Sequence, residues 1–272
     1  MSNIHLERWI RLSLYYHEYG DKNASLMVFL HGGGVSSWMW NKQIKHFSHY
    51  HCLAIDLPEQ GKSNDDNIGN FTIKYSAERV IEIIEKKAIE KEVIVIGFSL
   101  GAQVIVQMLS MKPNMVNYAI INSALVRPSP YIKTMIAPSI KLTFPLIKNK
   151  LFSKLQAKAL YLDEEYFETY YKESSLMKSG TLIRILEENM SFEIPIGFEK
   201  AECKILVTVG EREKAIMKKS AADIVLHNSN CEGIIIPNAG HGISLANPDY
   251  FNVIIENWIQ DGVLPLDVMP IK

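Results

Sequence analysis

Short, continuous apolar runs recur along the chain, and most of them end at a glycine or a polar residue. Runs of four or five apolar residues without alternation predict strands that are buried on both faces of a sheet. The run 93–96 is β-branched throughout, which favours a central position in that sheet. The predicted strands cover residues 26–30, 52–55, 93–96, 118–121, 205–209 and 233–236.

Stretches with helical periodicity lie between several of these runs. Apolar positions in residues 72–91 recur at intervals of three and four, with glutamate and lysine on the opposite face. A second predicted helix, 100–111, ends before Pro113. The last, 249–259, follows an Asn247 cap and has Pro248 at its first position. This alternation predicts an α/β protein with a mostly parallel central sheet flanked by helices.

One long segment, residues 125–199, interrupts the alternation. It shows no strand pattern, and five prolines separate helical stretches that are rich in aromatic residues and methionine. We predict a helical cap over residues 125–199, inserted after the strand that ends at residue 121. Residues 1–124 and 200–272 then form the core. The alternative is a set of extra helices that merely pack on the sheet.

Composition and charge narrow the class of protein. The chain has 272 residues, of which 47% are hydrophobic and 22% charged, as in an ordinary globular protein of one large or two small domains. The formal net charge is −1, so we expect neither a nucleic acid nor a membrane as partner. No run is long enough to span a bilayer, no signal peptide is recognisable, and the three cysteines match no metal or disulfide pattern. We expect a cytoplasmic protein.

The motif Gly97-Phe98-Ser99-Leu100-Gly101 is the strongest chemical signal in the sequence. It follows a predicted central strand directly and opens a predicted helix. A sharp strand-to-helix turn of this kind exposes the serine Oγ and needs small flanking residues. The start of the helix then places backbone N–H groups beside that serine. Ser99 is therefore a candidate nucleophile, whereas a purely structural turn is the alternative.

A glycine-rich loop follows the first predicted strand, in the order His31, Gly32, Gly33 and Gly34. Free backbone N–H groups at a strand end suit an oxyanion hole, which needs donors directed at developing negative charge. The alternatives are a tight turn or a phosphate loop, but no Lys-Ser/Thr pair follows and no G-x-G-x-x-G is present. His31 is better suited to orient this loop than to take part in catalysis.

A second histidine is placed for catalysis. His241 lies between Gly240 and Gly242, just after the last predicted strand, where a general base is well placed. A nucleophile–base pair of this type needs an acid to orient the base. Glu211 and Glu213 both follow the strand that ends at residue 209, and either can supply it. The alternative is that they begin a charged helix over residues 211–220.

Together these motifs resemble the α/β-hydrolase fold superfamily, in its form with a cap and a Ser-acid-His triad. The resemblance includes the glycine loop 32–34, the segment 56–63, the Ser99 motif, Glu213 three residues after Gly210, and His241. The order serine, acid, histidine is also typical of these enzymes. Two features depart from the usual pattern. Glutamate stands where the family usually has aspartate, and Glu59 begins a segment that is usually Gly-x-Gly.

The resemblance implies roles for particular residues. Ser99 is the expected nucleophile and His241 the base, with Glu213 as the acid and Glu211 as the alternative. The backbone N–H groups of Gly33 and Leu100 are the expected oxyanion hole. No metal or other cofactor is expected, the expected partner is a small-molecule substrate, and the oligomeric state is open. We also expect a substrate pocket lined by aromatic residues, namely Trp38, Phe98, Tyr131, Phe144 and Tyr170.

The implied reaction is acyl transfer to water, and we expect a carboxylic-ester hydrolase of small apolar esters. The same triad also supports a C–C hydrolase, a lactonase or a cofactor-free perhydrolase. A protein of another class, a ligand receptor or signalling protein with slow turnover, is a further alternative. The motifs define the fold much more sharply than the substrate.

Overall fold

A computed structural model describes residues 14–64 and 71–271 of the chain. Residues 1–13, which belong to the predicted core, lie outside the described residues, as do residues 65–70 and Lys272. No helix in the described part is both long and apolar enough to cross a lipid bilayer.

The described residues form one eight-stranded sheet. Its spatial order is β1-β3-β2-β4-β5-β6-β7-β8, and only the pairs β1–β3 and β7–β8 are antiparallel. The predicted α/β class with a mostly parallel sheet is therefore confirmed. The strands are β1 (Tyr16–Tyr19), β2 (Leu26–Leu30), β3 (His51–Ile55), β4 (Val93–Phe98), β5 (Tyr118–Asn122), β6 (Lys204–Gly210), β7 (Cys231–Ile236) and β8 (Met269–Pro270).

Helices cover both faces of the sheet, which explains the continuous apolar runs. All residues of β2, β3 and β4 are buried. Alternate side chains enter two separate apolar layers: Leu26, Val28 and Leu30 belong to one, whereas Met27 and Phe29 belong to the other. The core helices are α1 (Asn41–His46), α2 (Ile73–Lys87), α3 (Leu100–Met111), α8 (Ala215–His227), α9 (Ile243–Ala246) and α10 (Pro248–Asp261).

Local signals for helix ends agree with the structure at two places. The Thr72 side chain accepts a hydrogen bond from the N–H of Tyr75 at the start of α2. The Asn247 side chain caps α10 in the same way and Pro248 occupies its first position, as predicted. The charged helix considered for residues 211–220 is different: α8 begins only at Ala215, because residues 211–214 form a turn after β6.

Residues 125–199 contain helices and no strand. These are α4 (Pro130–Thr143), α5 (Lys150–Ala159), α6 (Glu164–Leu176) and α7 (Ser179–Ser191), with 3₁₀ turns at Phe144–Lys148 and Phe198–Lys200. Specific polar contacts join them to the core. Gln103 of α3 exchanges hydrogen bonds with Asn189 of α7, at 2.9 and 3.0 Å. The division of the chain into a core and a cap domain stays a prediction.

Candidate active site

Ser99 lies on a sharp turn between β4 and α3. Its backbone has φ +52° and ψ −108°, a conformation that non-glycine residues rarely adopt. The Ser99 N–H donates to the Asn122 carbonyl at 2.8 Å, which holds the turn against β5. A Cβ on Gly97 would lie 2.6 Å from the Gly101 carbonyl carbon, and one on Gly101 would lie 2.2 Å from the Leu30 oxygen. Both glycines are therefore needed for the turn to close.

The His241 ring links Ser99 to a buried carboxylate. Its Nε2 lies 3.1 Å from Ser99 Oγ, and its Nδ1 lies 2.7 Å from Glu213 Oε2. The Phe98 ring packs beside the imidazole at 5.0 Å between centroids. The His241 side chain is 41% exposed, whereas that of Glu213 is 1% exposed. His241, next to Ser99, is thus accessible to a reactant, whereas Glu213 is held inside the protein.

The second oxygen of Glu213 has two further donors. Its Oε1 accepts the Gly210 N–H at 2.8 Å and the Ser123 hydroxyl at 2.7 Å. Burial alone would raise the pKa of Glu213, but His241 and these two donors outweigh it, and the pKa lies below its ordinary value. The carboxylate therefore stays ionised, as an acid that orients a histidine requires.

Glu211, the alternative acid, points elsewhere. It is exposed, and its Oε2 accepts the Asn238 N–H at 2.8 Å. The structure brings Glu213 and not Glu211 to His241. Because residues 211–213 turn tightly after β6, positions only two apart in sequence face different surroundings.

The glycine loop after β2 lies directly against the Ser99 turn. A Cβ on Gly32 would be 3.7 Å from Ser99 Cβ, and one on Gly33 would be 3.6 Å from the Leu100 side chain. The Gly34 N–H donates to Gln60 at 3.3 Å. Within the described residues, no acceptor is found for the Gly33 N–H, and Leu100 is the first residue of α3, where helical N–H groups have no partner in the helix. Both N–H groups are thus available to a bound oxygen.

His31 supports this loop from inside the protein and is fully buried. Its Nε2 accepts the Leu57 N–H at 2.9 Å, so its Nδ1 carries the proton and donates to the Gly32 carbonyl at 2.7 Å. Burial lowers the pKa of His31, which keeps the ring neutral in this tautomer. The expectation that His31 orients the loop agrees with these contacts.

Glu59, the departure from Gly-x-Gly, connects the core to the helical segment. It has φ +60°, and its carboxylate pairs with Arg184 and accepts the Thr181 hydroxyl at 3.0 Å and the Phe71 N–H at 2.7 Å. Burial would raise the pKa of Glu59, but these donors bring it below its ordinary value. A charged side chain at this position therefore ties the loop to α7.

The five predicted pocket residues occupy different surroundings. Phe98 contacts the His241 ring, Tyr170 is buried in the apolar layer below α6, and Phe144 is half-buried. Trp38 stacks on Tyr166 of α6, with 5.4 Å between the ring centroids. Tyr131 is 89% exposed on α4, which contradicts its placement in a pocket. Its aromatic character was consistent with either a lining or a surface position, and periodicity alone did not separate them.

Sequence reasoning missed Glu173, which reaches from α6 to the segment after the glycine loop. It accepts the Ser36 hydroxyl at 3.0 Å and the Trp38 indole N–H at 2.8 Å. Burial raises the pKa of Glu173 although these two donors oppose the shift. No sequence signal separates it from the neighbouring glutamates of α6. In the described part of the chain, no group of three His, Cys, Asp or Glu side chains is arranged to hold a metal ion.

A parallel sheet with a serine on the strand–helix turn, a histidine after β7 and a glycine loop after β2 defines the class of α/β hydrolases. The chain belongs to the alpha/beta hydrolase family, whose family model matches residues 27–252. The resemblance found in the sequence is thereby confirmed.

Several curated and solved proteins are similar to the chain. An esterase of Mycobacterium tuberculosis is 31% identical over 94 residues, but this match covers only 35% of the chain and 31% of that relative. A pimeloyl-[acyl-carrier protein] methyl ester esterase of Proteus mirabilis is 24% identical to the chain, and this match covers 88% of the chain and 94% of that relative. A solved α/β hydrolase from a Medee basin deep-sea metagenome library shares the fold, with TM-score 0.75, 21% identity and coverage of 93% and 96% of the two chains.

Proposed function

We infer that this protein is a serine hydrolase that transfers an acyl group to water, with small apolar carboxylic esters as its substrates. The observation that carries the proposal is the continuous chain from Ser99 Oγ through His241 to Glu213, with contacts of 3.1 and 2.7 Å. These are hydrogen-bond distances, and the order of groups is that of a nucleophile, a base and an orienting acid.

In the proposed reaction, Ser99 Oγ attacks the ester carbonyl while His241 Nε2 takes its proton. His241 then gives that proton to the leaving alcohol, and an acyl-enzyme remains on Ser99. Water adds to this ester with His241 again acting as base, and the carboxylic acid leaves. Glu213 holds the Nδ1–H tautomer and stabilises the imidazolium, which needs an ionised carboxylate. Its lowered pKa is consistent with this role.

The negative charge that develops on the carbonyl oxygen needs hydrogen-bond donors. The N–H groups of Gly33 and Leu100 are the proposed pair, because Gly33 lies against Leu100, the residue after Ser99, and neither N–H has a hydrogen-bond partner among the described residues. Preorganised donors of this kind contribute about 10²–10³ in rate each. His31 supports the proposal by fixing the neighbouring carbonyl of Gly32 and thus the direction of the loop.

The preference for esters is supported by two relatives that are named esterases. The preference for an apolar acyl group is supported by apolar side chains near the proposed oxyanion hole. A Cβ added to Gly33 would lie 3.4 Å from the side chain of Ile185 in α7, so this side chain is close to the glycine loop. The Phe98 ring lies beside His241. An acyl group bound at Ser99 would therefore meet hydrocarbon from both the core and α7.

The test is a comparison of kcat/KM for p-nitrophenyl esters of increasing acyl length with kcat/KM for lactones and for substrates with a scissile C–C bond. We expect short esters to react fastest and Ser99→Ala to lose their hydrolysis. Ser229→Ala, in an exposed turn before β7, is the matched control and should keep full activity. Faster turnover of a lactone or a C–C substrate than of any ester would overturn the ester assignment. Unchanged ester hydrolysis in Ser99→Ala would overturn the mechanism.

A further inference from the structure

The distribution of charge along the chain is uneven although the total is close to zero. Between Pro128 and Leu162 there are six lysines and no aspartate or glutamate, while the whole chain carries a net charge of −1. This stretch contains α4, the 3₁₀ turn Phe144–Lys148 and α5. Positive charge is therefore concentrated on one part of the helical segment, although the net charge of the whole chain is close to zero.

Large apolar side chains are exposed on the same elements. Among those with between 46% and 89% of their surface accessible, six are considered together: Tyr131, Met135, Leu142, Leu146, Leu151 and Leu155. Single exposed apolar residues are ordinary on a protein surface, but a contiguous group marks an interaction site.

Helical spacing brings these side chains to common faces. In α4, positions 131, 135 and 142 are four and seven residues apart and share one face, while Ile136 is buried on another. In α5, Leu151 and Leu155 are four residues apart, and Ser153 and Ala157 are buried. The 3₁₀ turn contacts both helices. We call this surface the basic apolar face; it consists of the six apolar side chains and of the lysines beside them, Lys141, Lys148, Lys150, Lys154 and Lys158.

Most lysines of the basic apolar face are free to meet an external anion. Lys150 and Lys154 pair with Glu168 and Glu164 of α6, at 2.6 and 3.7 Å. The other three have no acidic side chain within ion-pair distance in the part of the chain that the structure describes, and they are Lys141, Lys148 and Lys158.

The shape of the surface also favours hydrocarbon as its partner. A groove of about 530 Å³ opens between α5 and α6, and its apolar lining includes Leu151, Leu155, Leu162 and Phe167. Lys154 and Lys158 lie at the same groove, together with Glu164 and Glu168; Glu164 pairs with Lys154, and Lys158 is the lysine there without an acidic partner among the described residues. Hydrocarbon next to cationic groups is the composition of helices that lie in the interface of a lipid bilayer.

We propose that the basic apolar face docks on the surface of an anionic lipid bilayer, with the leucines in the acyl region and the lysines at the headgroups. Charge complementarity argues for this occupant, because lysines near an anionic leaflet gain affinity while apolar side chains enter the lipid. For this one face, the proposal replaces the expectation from net charge that no membrane is a partner. It does not depend on the reaction proposed for Ser99.

The experiment is co-sedimentation of the full chain with vesicles of phosphatidylcholine, with and without phosphatidylglycerol. We expect binding only to the anionic vesicles, and weaker binding as salt is raised. Substituting Lys141→Gln, Lys148→Gln and Lys158→Gln together should weaken binding by about tenfold or more. Leu142→Gln with Leu151→Gln should also weaken it, since both side chains are exposed and their replacement leaves the core intact.

The matched control combines Lys219→Gln and Leu226→Gln, an exposed lysine and an exposed leucine of α8. It should bind vesicles as the unchanged protein does, and circular dichroism should show the same fold for every variant. Equal binding to neutral vesicles, no binding to either kind, or equal loss in the control would each overturn the proposal. A dimer in sedimentation velocity that the same lysine and leucine substitutions dissociate would also overturn it, because the face would then serve a second copy of the chain.

Discussion

Replacing Glu213 by glutamine tests whether the buried carboxylate orients His241. The carboxylate accepts three hydrogen bonds, from His241 Nδ1 at 2.7 Å, Ser123 Oγ at 2.7 Å and the Gly210 N–H at 2.8 Å. Glutamine has the same size but offers only one accepting atom. Its NH₂ group must therefore face a donor, either the imidazole or the Gly210 and Ser123 pair.

Both orientations of the glutamine disturb the site. If the NH₂ group faces His241, it favours the tautomer with the proton on Nε2, and that ring cannot take a proton from Ser99. If it faces Gly210, a buried donor is left without a partner, and the charge that stabilises the imidazolium is lost in either case. We expect kcat for a short ester to fall by about 10²–10⁴ in Glu213→Gln, with a smaller change in KM.

Glu211→Gln is the matched control, because it makes the same chemical change two residues away. Its side chain is exposed and accepts one backbone N–H from Asn238, which glutamine can also do. We expect less than about a twofold change in kcat/KM, as for most surface substitutions. The assay is steady-state hydrolysis of a p-nitrophenyl ester, with urea unfolding of each variant. Similar losses in both variants, or activity within tenfold of the original protein in Glu213→Gln, would refute the assignment of the acid.

Three further outcomes follow from other contacts. Ser123→Ala removes one donor to Glu213, so kcat should fall by about tenfold with KM nearly unchanged, as steady-state kinetics would measure. Gly101→Ala would place a Cβ 2.2 Å from a backbone oxygen of β2 and should lower the free energy of unfolding by about 3 kcal/mol. The control is Gly180→Ala, where the new Cβ would have only an arginine side chain nearby, at 3.5 Å, and the free energy of unfolding should change little. Urea unfolding of both variants provides the comparison. Burial alone would raise the pKa of Glu18, but hydrogen bonds from a lysine and a histidine lower it to about 2. Because this pKa is depressed in the folded state, the stabilisation is present above the ordinary glutamate pKa and is lost as pH falls from about 5 towards about 2. Glu18→Gln should therefore lower the free energy of unfolding by about 2 kcal/mol at neutral pH, and urea unfolding should show a smaller difference at pH 4.

The strands and helices of the core were predictable because local rules act there without competition. A continuous apolar run has one stable place in an α/β protein, the interior of a parallel sheet, and each of the six predicted strands is present. The two edge strands were not predicted. β1 has the polar sequence Tyr-His-Glu-Tyr, and β8 is two residues long and contains Pro270, so neither carries the apolar signal of a central strand.

The candidate site was predictable where function depends on a residue's place at a strand end. Ser99 and His241 both follow apolar strands and have glycine neighbours, and the structure brings them together. Their supporting contacts were not predictable, since they join residues distant in sequence. Ser123 and Glu213 are 90 positions apart, and Trp38 and Glu173 are 135 apart. No local pattern encodes such a pair.

In the helical segment 125–199, the sequence pattern did not determine which side chains are buried. α4 has apolar residues on more than one face, so periodicity does not tell which face is buried. The structure buries Ile136 and exposes Tyr131, which removes Tyr131 from the expected pocket. The same exposed face led to the proposal of a lipid surface. Net charge did not suggest it, because the acidic residues that balance these lysines lie elsewhere in the chain.

Covalent labelling with a fluorophosphonate measures whether Ser99 is a nucleophile activated by His241. The protein is treated with the probe, digested, and the modified peptide is located by mass spectrometry. We expect one adduct, on Ser99, which disappears in Ser99→Ala and forms much more slowly in His241→Ala, while Ser229→Ala labels normally. An adduct on another serine, or ester hydrolysis that continues without any labelling of Ser99, would contradict this role of Ser99.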